Sequence, residues 1–225
     1  PIGPGARKEY SNDYDDFTCC HGTGMENHVR YTEHIYHHGE EGSLYLNLFL
    51  PSVYHWEEKG VTISLEGDFP AESFCLKINT DDPNVTVPLK LNIRIPYWCQ
   101  KTFRVSTSKE PLPAPSGDGG YYRINRTFAD GDTVTVSIPY ALHLCYTNDA
   151  YEGYPAASVM YGPLVMTALS PQTDWMTLNL PPVLEDAFDI QWNRLPTLWY
   201  DDLEFIPSFA AHNRPYHTYF KINLT

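Results

Sequence analysis

The most reactive side chains of this sequence sit side by side. Cys19 and Cys20 lie in the stretch DFTCCHGTGMEN, residues 16–27. Adjacent cysteines are poorly placed to form a disulfide with each other. They need separate partners, a shared metal, or no role at all. Thr23 followed by Glu26 has the form of a capping box, which predicts that a helix starts just after the thiols. A helix N-terminus carries roughly half a positive charge and unpaired N–H groups. Both favour thiolate over thiol. Gly22 and Gly24 let the backbone come close to a bound group. Thiolates are also good zinc ligands, and two further donors would complete a tetrahedron. His21 and His28 are near in sequence, although Cys-Cys-His is not a usual zinc-finger spacing. Two readings follow from the residues: a functional thiol site, or a buried pair of cysteines that helps a helix to pack.

The elements that must position the thiols can be read from periodicity. Met25, Val29 and Tyr36 recur at helical spacing, with Tyr31 and Ile35 beside them, and Gly39 suits a C-terminus. This predicts one helix over about 24–38. The period then changes to two. Leu44, Leu46, Leu48 and Leu50 alternate with polar or aromatic residues, as do Val61, Ile63 and Leu65, then Phe74, Leu76 and Ile78. Val85, Val87, Leu89, Leu91, Ile93 and Ile95 form a long pattern with one buried face, in which Pro88 marks an edge or a bulge. Phe103 with Val105, Tyr122 with Ile124, and Val134 to Ile138 continue the series between Gly/Asp turns. Short strands at this spacing predict an antiparallel β-sandwich or barrel. Residues 158–169 hold a further apolar segment with a Gly-Pro turn or bulge at its centre. Residues 170–204 read as a long wrapping loop, and a last strand covers about 216–222.

Composition narrows the function classes. The chain has 225 residues, with 15 Lys plus Arg against 28 Asp plus Glu, a net charge of −13. Such an acidic balance repels phosphate backbones and argues against general nucleic-acid binding. No apolar run approaches the ~20 residues of a membrane helix. Pro1 to Tyr10 has no apolar segment of the kind a signal peptide needs. The compartment stays open, with a periplasmic or extracellular one favoured. The five cysteines leave at least one thiol unpaired in a monomer. Cys75, Cys99 and Cys145 lie in apolar or aromatic runs and read as ordinary buried residues.

Other candidates have plainer explanations. His34, His37 and His38 with Glu33 and Glu40 suggest a metal cluster, and His34 and His38 would share a helix face. No H-E-x-x-H is present, and histidines suit the C-terminal end of a helix dipole, so a solvated face is the favoured reading. Trp56, Trp98, Trp175, Trp192 and Trp199 could stack on sugar rings, but most tryptophans in sandwiches anchor cores or loops. The acid pairs Asp81-Asp82 and Asp201-Asp202 fall in turns and read as solvated surface. The triplets at Asn84, Asn125 and Asn223 are too common by chance to establish secretion.

The stretch TCCHGTGMENHVRYTEHIY (18–36), followed by LYLNLFLPS (44–52), resembles glycoside hydrolase family 127 and its relative family 146, a bacterial group that includes β-L-arabinofuranosidases. LNIRIPYWC (91–99), YYRINRTFADGDTVTVSIP (121–139) and VMYGPLV (159–165) are also similar to the group. The resemblance implies an N-terminal (α/α)6 barrel that holds the active site, followed by β-sandwich domains. It implies hydrolysis with retention, through a cysteine nucleophile and a glutamate acid/base. It implies a zinc ion bound by one glutamate and three cysteines. On this motif Cys19 matches the nucleophile, which is also a zinc ligand, and Cys20 matches a second zinc ligand.

The sequence departs from the group in length. The group's acid/base and its remaining zinc ligands lie upstream of the double cysteine, and only 18 residues precede Cys19 here. The expectation is therefore a C-terminal portion of such an enzyme, mainly β. Residues 1–41 would be a helical remnant of the barrel and 42–225 a β-sandwich region, dividing near 145–155. Alone, this chain would be inactive and hold zinc weakly or not at all. Its partners would be an arabinofuranoside-containing glycan and a barrel supplied upstream or by another subunit. The alternative reading is a non-catalytic carbohydrate-binding or structural β-sandwich module.

Overall fold

A computed structural model describes residues 19–99, 102–115 and 120–225, with Cys19 described by its backbone. Two compact units divide the chain between Pro139 and Tyr140. In the first unit, helix α1 (Cys19–Ile35) precedes nine strands. These are β1 (Tyr36–Gly39), β2 (Ser43–Leu46), β3 (Ser52–Trp56), β4 (Val61–Glu66), β5 (Ser73–Thr80), β6 (Val87–Arg94), β7 (Arg104–Thr107), β8 (Tyr121–Phe128) and β9 (Thr133–Ser137).

The helix differs from its expected span at both ends. It begins at Cys19, so Thr23 and Glu26 lie inside it and form no capping box. The Thr-x-x-Glu spacing fits a helix interior as well as a cap. Gly22 and Gly24 are tolerated inside the helix at a cost of about 1 kcal/mol each relative to alanine. At the other end α1 stops at Ile35, because Tyr36 to Gly39 pair antiparallel with β2, from Tyr36↔Leu46 to Gly39↔Ser43. Strand pairing here overrides the helical period. Gly39 is required by close approach, since a Cβ there would lie 2.4 Å from the Tyr45 ring and 2.5 Å from Ser43 Oγ.

The strands form two sheets, in the orders β1-β2-β6-β8 and β3-β4-β5-β9-β7. One apolar core draws on both sheets: Leu44, Leu46, Leu89, Leu91, Ile93, Ile124 and Phe128 from the first, and Ile63, Leu65, Phe74, Leu76, Ile78, Val134 and Val136 from the second. This is the expected sandwich, with alternate residues of each strand turned inward. All pairings in it are antiparallel except β2 with β6, which is parallel. Leu89, Leu91, Ile93 and Ile95 are buried as expected. Val87 is half-buried, and Val85 is exposed because it precedes β6. Leu48 and Leu50 lie beyond β2, outside any strand, and pack on the core from its margin. Pro88 sits where β6 pairs with β8 alone, since β2 reaches only as far as Lys90. Its missing N–H therefore costs no hydrogen bond to β2.

The second unit is built from β10 (Leu142–Tyr151), β11 (Tyr154–Tyr161), β12 (Leu164–Leu169), β13 (Thr177–Leu180), β14 (Asp189–Trp192), β15 (Pro196–Tyr200), β16 (Leu203–Pro207), β17 (Tyr216–His217) and β18 (Phe220–Leu224). They form one nine-stranded sheet, ordered β13-β18-β11-β12-β16-β15-β14, with β10 on β11 and β17 on β12. Phe205, Phe220, Leu198, Val159 and Met166 lie at the centre of its core. The Gly-Pro pair expected as a turn joins β11 to β12, with Tyr161 opposite Leu164 and Gly162 at φ +55°. The wrapping loop expected over 170–204 is corrected: that stretch contains β13, β14, β15 and the start of β16. Strands of four or five residues separated by prolines are too short to show a period of two. The last strand is likewise split into β17 and β18.

The cysteines also need correction. Cys99 is buried, but Cys75 is half-buried and Cys145 exposed. On β5 the inward positions are Phe74, Leu76 and Ile78, so alternation turns Cys75 the other way. Cys145 falls on the part of β10 that faces solvent.

Candidate functional site

Helix α1 carries the candidate thiols as its first two described residues. Cys19 and Cys20 therefore lie within the described helix rather than just ahead of it. Cys20 is exposed. At 100° per residue, Cys19, Thr23, Glu26 and Arg30 fall on one face, with Cys20 and Asn27 on its flank. A concavity of about 570 Å³ is lined by Cys20, Thr23, Gly24, Glu26, Asn27 and Arg30. Asn27 Nδ2 donates to Tyr31 Oη at 3.0 Å, and Arg30 pairs with Glu33 at 3.3 Å. Asn27 and Arg30 were not singled out in the sequence. Their spacing of seven and ten residues from Cys20 was the available signal.

Elsewhere on α1, Met25 is 59% and Val29 69% exposed. Among the described residues of α1 only Ile35 is buried. The reading of the cysteines as a pair buried to pack the helix is therefore not realised at Cys20.

The residues present fit a zinc ion only in part. Two cysteines at adjacent positions offer two soft donors, half of a tetrahedral shell. Among the described residues no group of three or more His, Cys, Asp or Glu could hold a metal. The described residues thus fit at most half of a zinc site.

The other sequence candidates fall elsewhere. His38 lies in β1, so the helical pair with His34 does not form. His34 Nδ1 instead stands 3.4 Å from His37 Nε2 on the exposed surface. His38 Nε2 meets Tyr54 Oη, and its ring stands edge-on to Trp56. Glu33 is held by Arg30, and Glu40 is exposed. Trp56 is buried in the core, Trp175 stacks on Tyr151 at 4.3 Å, and Trp192 Nε1 donates to Tyr161 Oη at 3.2 Å. Trp98 and Trp199 are half-buried. Asp81, Asp82, Asp201 and Asp202 are exposed in turns, as expected.

Where α1 ends, the chain enters β1 with no linker. Ile35 is 6% exposed and part of the sandwich core. Tyr36 stacks on Tyr54 with ring centroids 5.0 Å apart, and its hydroxyl lies 3.1 Å from Ser52 Oγ. Burial pushes the Tyr36 phenol above its ordinary pKa, partly offset by Ser52. The Asn47 N–H donates to the Ile35 carbonyl at 2.9 Å. Tyr121 Oη donates to Asn47 Oδ1 at 2.6 Å, and Arg94 Nη1 donates to the Asn47 carbonyl at 3.4 Å.

A two-sheet sandwich entered directly from a thiol-bearing helix has counterparts among known proteins. Residues 43–140, from the start of β2 to just past the end of the first unit, match the family model described as "Beta-L-arabinofuranosidase, GH127 middle domain". The family of this matching segment is the one that the resemblance implied. No curated protein matches. Among solved structures, a GH127 β-L-arabinofuranosidase from Geobacillus stearothermophilus T6 shares 17% identity and a TM-score of 0.73 over 97% of this chain and 39% of its own. A protein described as a glycoside hydrolase gives 18%, 0.71, 94% and 41% for the same quantities. A GH127 β-arabinofuranosidase gives 18%, 0.72, 97% and 41%. At such identities these structures share the fold. The chain spans about two-fifths of their length.

Proposed function

We propose that this chain is the C-terminal part of a retaining glycoside hydrolase acting on L-arabinofuranosides, with Cys19 as nucleophile. The observation that carries the reading is the match of residues 43–140 to the GH127 middle domain, joined without a linker to the helix that begins with Cys19 and Cys20. The likeness to arabinofuranosidase structures over nearly the whole chain supports it.

In this reading the Cys19 sulfur attacks the anomeric carbon as the leaving oxygen takes a proton from a glutamate outside this chain. The resulting glycosyl-cysteine is then hydrolysed by water, and two inversions give net retention. Sulfur replaces the carboxylate nucleophile used by most retaining enzymes. Cys19 and Cys20 would hold zinc together with ligands from elsewhere in the protein. Bound zinc would keep the thiol ionised at neutral pH. Thr23, Glu26, Asn27 and Arg30 give the helix a polar face beside the thiols, suited to hydroxyl groups of a sugar.

The test is hydrolysis of aryl arabinofuranosides by the complete protein and by this chain alone, with zinc measured in both. The reading expects turnover and bound zinc only in the complete protein. Zinc bound tightly and stoichiometrically by the 225-residue chain would show that a residue such as His21 completes the shell, and would overturn the ligand assignment. Sugar binding without turnover by the complete protein would favour a non-catalytic carbohydrate-binding module.

A further inference from the structure

We propose that Asn47, Tyr121 and Arg94 are positioning residues, which set the direction of the cysteine-bearing helix from the sandwich. The proposal rests on the reading of Cys19 as the nucleophile, and adds how that residue would be aimed.

Helix α1 is held mainly at its C-terminal end. Most of its length is exposed, and among its described side chains only Ile35 is buried, at the end farthest from the thiols. Its last carbonyl, that of Ile35, is bound by the Asn47 N–H. Asn47 lies just past β2 and is held in turn at two points. Tyr121 donates to its side-chain oxygen and Arg94 to its main-chain carbonyl. Arg94 and Tyr121 are directly opposite each other on β6 and β8. A cross-strand pair in the sheet therefore grips one residue, and that residue grips the end of the helix. The Tyr121 ring is itself fixed edge-on against Tyr45, with centroids 5.0 Å apart at 89°.

The geometry makes this node a lever. A 17-residue helix is about 25 Å long. A change of only about 5° at Ile35 moves the far end by about 2 Å. Misplacing a reacting group by about 1 Å can cost on the order of a hundredfold in rate. The sandwich would thereby act on catalysis without touching the substrate. The sequence gives these three residues no reactive motif, and only the register of β6 with β8 brings them to Asn47.

Three variants separate positioning from folding. Tyr121→Phe removes one hydroxyl and keeps the ring against Tyr45. Asn47→Asp keeps an acceptor for Tyr121, whereas Asn47→Leu does not. In the complete enzyme, Tyr121→Phe and Asn47→Leu are expected to lower kcat by roughly tenfold or more with KM and zinc content unchanged, and Asn47→Asp to recover most of the loss. In the 225-residue chain, residual dipolar couplings report the helix direction without any activity. The α1 couplings should fit the alignment tensor of the sandwich strands in the wild type and depart from it in both disabling variants. Hydrogen exchange in β6 confirms that the sandwich stays folded. Couplings that still fit in both variants, or a kcat equal to wild type in an active enzyme, would overturn the proposal. An inactive complete wild-type protein would instead contradict the catalytic reading, and the couplings would still decide whether the node aims the helix.

Discussion

Replacing Ile35 by alanine isolates the contact that joins the cysteine helix to the sandwich. Ile35 is 6% exposed and packs in the first unit's core, which also contains Leu44, Leu46 and Trp56. Truncating a buried isoleucine to alanine costs about 2–5 kcal/mol, depending on how well the site collapses. Ile35 is at the core's margin, beside the half-buried Tyr36, so the lower half of that range applies, about 2–3 kcal/mol. Val29 on the same helix is 69% exposed. Val29→Ala should stay within about 0.5 kcal/mol, because alanine is the better helix former and no buried surface is lost. Because the chain has two compact units, a single melting curve is a poor assay. Hydrogen exchange followed by mass spectrometry on peptides covering β6 and β8 reports the first unit separately. Protection there should fall by roughly 30- to 150-fold for Ile35→Ala, since each 1.4 kcal/mol is a factor of ten. Equal effects of the two substitutions, or a larger one for Val29→Ala, would refute the assignment of Ile35 to the core and Val29 to the surface.

Further outcomes are expected. Burial raises the Cys99 thiol to about 11, whereas Cys20 and Cys145 are exposed, so iodoacetamide at pH 8 should alkylate Cys20 and Cys145 well before Cys99, as read by peptide mapping. Desolvation lowers the His217 pKa, against a hydrogen bond to the Gln172 carbonyl that raises it. The unfolded chain therefore takes up the proton first as pH falls below about 6.5, so this contribution to stability is constant above that value and is lost progressively below it. Denaturant midpoints of the second unit from pH 8 to 5 should show this fall, and His217→Gln should flatten it. Gly162 takes φ +55°, and a Cβ there would lie 2.5 Å from the Tyr140 ring, so Gly162→Ala should destabilise the second unit by at least about 1 kcal/mol in the same measurement.

The sandwich was legible because Leu89, Leu91 and Ile93 alternate over a long, uninterrupted run, and a one-residue slip would put all of them in solvent. The second unit was less so. Its strands β13 to β15 have four or five residues each, too few for a period to emerge. The two helix ends depart from the sequence pattern for different reasons. At its start, Thr23 and Glu26 satisfy a capping pattern that equally suits a helix interior. At its end, the pairing of Tyr36 to Gly39 with β2 is a tertiary event that local periodicity does not encode. At the candidate site the cysteines stood out by chemistry. Arg30 and Asn27 were visible only through their helical spacing. Asn47, Tyr121 and Arg94 come together through strand register between residues up to 74 positions apart, which no local pattern announces.

The central claim is that Cys19 is the attacking atom of an arabinofuranosidase. Its most direct test is to treat the complete protein with an electrophilic arabinofuranose analogue and locate the adduct by peptide mass spectrometry. The account predicts one sugar adduct on Cys19, none on Cys20, and no adduct in Cys19→Ser, which should also lose turnover because an alcohol is a far poorer nucleophile than a poised thiolate. An adduct on a carboxylate, or a Cys19→Ser protein with full activity, would contradict it.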